Sequence, residues 1–194
     1  MISVVEAFTA AARSQPESAL RHARGTLAHA DALGISHDFL RWAWPLAARA
    51  ADELADTGTA RELLTLLDSC QPGHLAPMLR AERDLVRARL ADHDSNDATA
   101  ASFAAALTSL HKLSTPYHLA HGLLDHAQYL THLGDNDAAA AAIGEARDIA
   151  RRLRCQPLLD RAADATQADP RIRAQIADED DRKRAVLAAP TIRD

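Results

Sequence analysis

Apolar residues recur at spacings of three and four along most of this chain, and short polar stretches containing proline or glycine interrupt them. This pattern is typical of amphipathic helices joined by tight turns. The predicted helices pair into hairpins over residues 2–33, 36–67, 75–113 and 117–153, and a single helix follows at about 158–167. The chain has no run of alternating β-branched residues, so we predict no strands.

The most informative regularity is a passage that occurs twice. Residues 90–106 read LADHDSNDATAASFAAA and residues 130–146 read LTHLGDNDAAAAAIGEA. Asn96-Asp97-Ala98 therefore recurs as Asn136-Asp137-Ala138, 40 residues later (136 minus 96). A period of this length, with two helical patterns around a polar turn, indicates stacked α-hairpins that share a continuous core.

The fourth hairpin has a regular series of small or large apolar residues and one glycine, at Ala127, Leu130, Gly134, Ala139, Ile143 and Ala146. With these spacings it resembles the tetratricopeptide repeat. The resemblance implies an all-α, right-handed α-hairpin solenoid of about four helix pairs plus a capping helix. We expect Leu130 and Ile143 to be buried within it. The period of 40 residues is longer than the standard tetratricopeptide unit.

A change of composition predicts where the repeat domain ends. Residues 178–184 are solidly charged, with few apolar residues around them. We therefore expect a tetratricopeptide-like domain over residues 1–169 and a charged, partly helical or disordered C-terminal tail over residues 170–194.

Composition and charge narrow the classes of partner. The formal net charge is −5, and Lys112 and Lys183 are the only lysines, which argues against direct nucleic-acid binding. Cys70 and Cys155 lie far apart without a CxxC spacing, so neither a disulfide framework nor a zinc site is predicted. The chain has no signal-peptide pattern and no stretch of 18 uncharged apolar residues. We expect a cytoplasmic protein that does not bind membranes.

Sequence motifs for catalysis are missing. The chain contains no GxxxxGK[ST] phosphate loop, no GxSxG nucleophile elbow and no HExxH metal motif. We therefore expect no enzymatic activity, no catalytic residues, no cofactor and no bound metal.

A polar surface is the better candidate for function. In the tetratricopeptide alignment a set of polar residues falls on the inner, concave surface, where solenoid proteins commonly bind their partners. These predicted partner-binding residues are Asp52, Asp56, Asp84, Asp92, His121, Gln128 and His132. The expected partner is a protein or peptide segment, and self-association is left open.

One alternative is a metal site on the predicted helix from Tyr117 to Leu133. Spacings of three and four align a polar stripe on this helix, consisting of His118, His121, Asp125, Gln128 and His132. His121 and Asp125 could supply two ligands, but no nearby spacing supplies the third that a zinc site needs. A solvated helix face is the preferred interpretation, and a metal-binding protein using His118, His121, Asp125 and His132 is the alternative.

A second resemblance covers roughly residues 41–161. Residues 75–91, 114–135 and 145–162 look like the C-terminal helical region of large actinobacterial signalling ATPases. In those proteins such repeats follow an ATPase module and an effector that is a nucleotide cyclase or a LuxR-type transcription unit. The resemblance implies a sensor or inhibitory region that binds partners, including an ATPase or cyclase domain.

The chain lacks the phosphate loop, the cyclase segment and the helix-turn-helix of those proteins. Catalysis and DNA binding are therefore not implied. We expect a non-catalytic protein–protein interaction scaffold that serves as a sensor or regulatory module of a bacterial signalling system. The alternative is a fragment of a larger ATP-binding regulator with no independent activity.

Overall fold

The computed structural model describes residues 2–71, 73–93, 99–167 and 170–188. Helices joined by short turns make up these residues, and no strand occurs in this part of the chain, which confirms the predicted all-α class. The turn holding Asn96-Asp97-Ala98 lies outside the described residues. The chain divides into two compact units, Met1–Thr115 and Pro116–Asp194.

The first unit is built around an alanine-rich helix. Its described helices are α1 (Ile2–Ala12), α2 (Pro16–Leu27), α3 (Ala30–Leu33), α4 (Asp38–Glu53), α5 (Thr57–Asp68), α6 (Pro77–His93) and α7 (Thr99–Leu113). α4 packs against α1, α2, α5 and α6, and α6 packs against α7. Ala43, Ala47 and Ala51 of α4 are fully buried, and their small side chains allow close approach of the neighbouring helices. Trp44 is also fully buried, and its Nε1–H donates to the Leu63 carbonyl at 2.9 Å.

The second unit consists, in its described part, of α8 (Pro116–Leu133), α9 (Asn136–Leu153), α10 (Gln156–Gln167) and α11 (Pro170–Ala188). α8 and α9 form a hairpin, and α10 packs against both of them. Ile143 of α9 is 1% exposed, as expected for a core residue. Leu130 is only half-buried, so its expected burial was wrong. The neighbouring Tyr129 is buried instead, whereas Ala120, Leu123 and Ala127 on the same side of α8 as Leu130 are also buried.

The final helix, α11, covers the described part of the segment predicted as a tail. It packs against α9 and α10. Ile172 and Ile176 are both buried, and their spacing of four places them on one face of α11. The remaining residues, 189–194, lie outside the described part of the chain.

Four turns between helices share one backbone geometry. Each contains a residue with positive φ: Ser14 (53°), Ala55 (53°), Gly134 (78°) and Arg154 (51°). The next N–H donates to the carbonyl five residues back, in the bonds Gln15 to Ala10, Asp56 to Ala51, Asp135 to Leu130 and Cys155 to Ala150. This bond belongs to the Schellman motif, which closes a helix through one left-handed residue. The same device therefore ends helices in both units.

Side chains cap the N-termini of α4 and α5. Asp56 caps α5, so that Gly58 lies inside this helix. His37 caps α4, and its Nδ1 accepts from the Phe39 N–H. The Ser36 hydroxyl, just before this cap, donates to the His74 carbonyl.

Candidate binding groove

In the first unit, the predicted partner-binding residue Asp52 belongs to a layer of ion pairs between α4 and α6. Its Oδ2 accepts from Arg89 Nη1 at 3.1 Å. A second pair joins the same helices, because Arg49 Nη2 donates to Glu82 Oε1 at 3.1 Å. Glu82 is fully buried and both arginines are nearly so. Asp52 is half-buried, so the Arg49–Glu82 pair is the one held away from water, where an unpaired charge would be strongly unfavourable.

Asp56 serves as the N-cap of α5. Its carboxylate accepts from the Thr59 N–H at 2.9 Å and from the Thr59 hydroxyl at 2.7 Å. These two hydrogen bonds, the backbone one first, hold the pKa of Asp56 below its ordinary value, since they favour the charged form. The carboxylate is thus committed to the end of its own helix.

The other two predicted acidic residues, Asp84 and Asp92, lie on α6. Asp84 is half-buried and forms an ion pair with Arg87 at 3.4 Å. Arg87 also reaches Asp68 of α5 at 2.6 Å. Asp92 is half-buried one residue before the end of α6. Three of the four predicted acidic residues are therefore engaged in contacts that stabilise the first unit.

The space beside the α4–α6 ion pairs is nearly filled by side chains. Its volume is about 10 Å³, and its lining includes Asp52, Asp56 and Arg89. A cavity of that size has room for a single water molecule. The first unit therefore presents no pocket for a ligand at this place.

The second unit opens a groove between α8 and α10. Its volume is about 320 Å³. The lining residues are Leu124, Ala127, Gln128, Thr131 and His132 of α8, Ile143 of α9, and Arg161, Asp164 and Ala165 of α10. Two of them, Gln128 and His132, are predicted partner-binding residues, and both are exposed. The groove thus combines an apolar floor with a polar rim, the usual character of a binding site.

Arg161 ties the two walls of this groove together. Its Nη1 lies 2.7 Å from Nδ1 of His121, and its Nη2 donates to Asp125 Oδ1. Because a guanidinium only donates hydrogen bonds, Nδ1 of His121 is the acceptor and that ring carries its proton on Nε2. His121, a predicted partner-binding residue, therefore supports the groove wall from within.

The stripe of polar residues on α8 is solvated only in part, since Gln128 and His132 are exposed. His118 is 1% exposed and Asp125 is 5% exposed, so the preferred interpretation from the sequence was wrong at these two positions. The residue that sequence reasoning missed is Arg161, which comes from α10 and contacts His121 and Asp125. A signal for it exists, because Arg89 follows Asp52 by 37 residues and Arg161 follows Asp125 by 36.

The geometry of α8 also bears on the metal alternative. In the described parts of the chain, no three His, Cys, Asp or Glu side chains are grouped so that they could hold a metal ion. His132 lies eleven residues beyond His121, about 16 Å along a helix axis. The guanidinium of Arg161 already occupies the neighbourhood of His121 and Asp125, and its positive charge would repel a cation.

His126 is a titratable residue on α8 with a shifted pKa. Its half-buried ring stacks beside Tyr129, with centroids 6.2 Å apart. Burial lowers the pKa of His126, and the charge of Asp135 opposes the shift. The imidazole is therefore held in its neutral form near neutral pH, within the packed part of the second unit.

No protein-family model, curated protein or solved structure matches this chain. Across the described helices, none is both long and apolar enough to cross a lipid bilayer. The two resemblances drawn from the sequence therefore stay expectations. What the chain binds has to be inferred from the groove itself.

Proposed function

We propose that this chain is a non-catalytic interaction module that binds a protein segment in the groove between α8 and α10. The observation that carries the proposal is the groove, with its apolar floor and exposed polar rim. Its volume is near the lower end of the range for ligand pockets, about 300–1,000 Å³. Such a volume suits the side chains of a docked peptide better than a large cofactor.

The repeat pattern supports the same class of function. The 40-residue self-match and the shared turn at Ala55 and Gly134 favour a right-handed, tetratricopeptide-like solenoid. Solenoid proteins mostly act as scaffolds, because stacked hairpins present long grooves between successive helices. Predicted partner-binding residues that stay exposed in the groove are Gln128 and His132.

The partner we propose is a domain of a cytoplasmic bacterial signalling system, in keeping with the resemblance over residues 41–161 to actinobacterial signalling ATPases. An ATPase or cyclase domain would supply the bound segment, and this chain would act as a sensor or regulatory module. The alternative is that the chain is a fragment of a larger ATP-binding regulator, without independent activity.

Affinity capture followed by a binding titration tests the proposal. The wild-type chain is compared with a double variant, Gln128→Ala with His132→Ala, which trims the exposed rim but leaves the Arg161 contacts intact. A matched control, Gln71→Ala with His74→Ala, removes the same residue types from an exposed turn of the first unit. Each captured protein is divided into peptides, and their dissociation constants are measured with all three chains.

We expect at least one peptide to bind the wild-type and control chains equally and the groove variant several-fold more weakly. Equal binding by all three chains would show that the groove is not the binding surface. If no peptide binds, the interaction proposal fails and the inactive-fragment alternative is favoured. Elemental analysis of the purified chain tests the metal alternative, which requires stoichiometric metal that is lost on replacing His121 and Asp125.

A further inference from the structure

The charges around the groove indicate which kind of segment it accepts. We infer that the bound segment inserts an apolar side chain between α8 and α10 and places a lysine or arginine beside it, against Asp164. This inference rests on the proposed function and specifies the chemistry of the partner. It follows from the charge balance of the residues that line the groove.

The positive charge in the lining is already balanced. Arg161 is the only arginine or lysine that lines the groove within the described structure, and its Nη2 donates to the buried carboxylate of Asp125. Its Nη1 contacts Nδ1 of His121. Because both terminal nitrogens are engaged within the wall, Arg161 offers little attraction to an incoming carboxylate.

The negative charge of Asp164 is not balanced in this way. Asp164 lies on α10 one turn after Arg161, and it is exposed at the rim. No ion-pair partner for it lies within the described residues. The rest of the rim is neutral when histidine is unprotonated, since Gln128 is an amide and the Thr131 hydroxyl donates to the Ala127 carbonyl. The opening therefore has a local negative charge that complements a cation.

The apolar floor of the groove is the reason for expecting an apolar side chain in the bound segment. Leu124, Ala127 and Ile143 are buried at the base of the groove, and Ala165 is half-buried on its α10 side. These side chains offer an apolar surface with little polar competition. A partner side chain that covers this floor removes apolar area from water, which favours binding by about 25 cal/mol per Å² of area buried. A segment with an apolar residue next to a cationic one can therefore cover the floor and pair with Asp164 at the rim.

Small aromatic probes that differ in charge test this inference directly. The probes are 2-phenylethylamine, 3-phenylpropionate and the uncharged 2-phenylethanol, which share an aromatic ring and differ in charge. Each is titrated at pH 8 and low salt, where histidine is largely neutral and screening is weak. Binding is followed by chemical-shift changes of the backbone amides of Ala127, Gln128 and Ala165 in the isotope-labelled full chain.

Two variants accompany the wild-type chain. Asp164→Asn removes the unbalanced charge and keeps the side-chain shape. Asp160→Asn is the matched control, because Asp160 is exposed one turn earlier on α10, does not line the groove, and accepts a hydrogen bond from Gln156. We expect the amine to bind the wild-type chain about two- to five-fold more tightly than the alcohol, the scale of an exposed ion pair, and the propionate to bind least.

The two variants should separate the contribution of the Asp164 charge to probe binding from that of the apolar floor. Asp164→Asn should reduce amine affinity to that of the alcohol, and Asp160→Asn should leave the preference for the amine unchanged. Propionate binding as tightly as the amine, an unchanged amine preference in Asp164→Asn, or no groove shifts with any probe would each overturn the inference. Peptide capture that depends on Gln128 and His132 would still support the proposed function in those cases, so the two failures are distinguishable.

Discussion

The α4–α6 contact of the first unit and the α8–α10 contact of the second unit both contain an aspartate–arginine ion pair, but they leave very different amounts of space beside it. In both, an aspartate of the earlier helix binds an arginine of the later one, as Asp52 does with Arg89 and Asp125 with Arg161. Beside the first pair about 10 Å³ of space remains, and beside the second about 320 Å³. An ion pair between helices is thus compatible with either a closed contact or an open groove.

The difference follows from the neighbouring side chains. The lining of the first space includes Val86 and Leu90 of α6, which fill the volume next to Arg89. In the second, α10 contributes Asp164 and Ala165 next to Arg161, and these smaller side chains leave the volume open. The first unit also has a second buried pair, Arg49 with Glu82. In the second unit a single arginine, Arg161, contacts both His121 and Asp125.

The largest effect we predict comes from breaking the closed contact. Glu82→Ala leaves the guanidinium of Arg49 buried without this carboxylate, and we expect it to lower the free energy of unfolding by about 3–5 kcal/mol. Asp125→Ala should cost less, about 1–3 kcal/mol, because the Arg161 side chain is 33% exposed and can reach water. Urea denaturation followed by circular dichroism measures both.

An exposed pair of equal length provides the control. Arg24 and Glu62 lie 3.1 Å apart, as Arg49 and Glu82 do, but both are exposed. Glu62→Ala should therefore change the free energy of unfolding by less than about 1 kcal/mol. If Glu82→Ala and Glu62→Ala had equal effects, burial would not distinguish the two contacts.

The floor of the open groove gives the next largest effect. Ile143→Ala removes a fully buried side chain from the second unit and should cost about 2–4 kcal/mol in urea denaturation. Leu130→Ala should cost less, because that residue is only half-buried. Exposed Gln128 can be changed to Ala with almost no loss. A shift of the urea midpoint by Gln128→Ala as large as that by Ile143→Ala would contradict the assigned facing of α8 and α9.

The shared turn allows a reciprocal exchange between the units. Gly134→Ala places a side chain in the left-handed region and should destabilise the chain by about 1 kcal/mol. Ala55→Gly relieves the same strain at the corresponding turn of the first unit and should stabilise it by about 0.5 kcal/mol, after the entropy cost of glycine. Thermal melting measures the two shifts, and shifts of the same sign would show that the turns are not equivalent.

The smallest effect is a dependence of stability on pH in the first unit. The pKa of Asp56 is lowered in the folded chain, so the unfolded chain binds a proton first as the pH falls. The stabilisation from Asp56 is therefore complete above the pKa of an unfolded aspartate, about 3.9, and is lost as the pH falls through the folded pKa. Asp56→Asn should flatten this part of a pH titration of the urea midpoint. An unchanged slope would mean that other carboxylates dominate acid unfolding.

Helix positions could be predicted from the sequence because their signals are local. Pro16 and Pro116 stand at the first residue of α2 and α8, where the missing N–H of proline has no helical partner to lose. Asp135 caps α9, and Gly134 precedes it in the left-handed conformation. Each of these features depends on a few neighbouring residues. The helices themselves could be predicted from a second local signal, the 3.6-residue periodicity of apolar positions. The all-α class followed from such signals alone.

Only the tertiary structure decided which polar residues remain accessible. Asp125 and His132 belong to the same predicted stripe of α8, yet Asp125 is buried against Arg161 and His132 is exposed in the groove. Helical periodicity assigns residues to a face, but it does not say where along that face the next helix crosses. That crossing depends on side-chain sizes in helices distant in the sequence, as Leu90 and Ala165 illustrate. The amount of open space between helices, and therefore the groove, is a property of the packed structure.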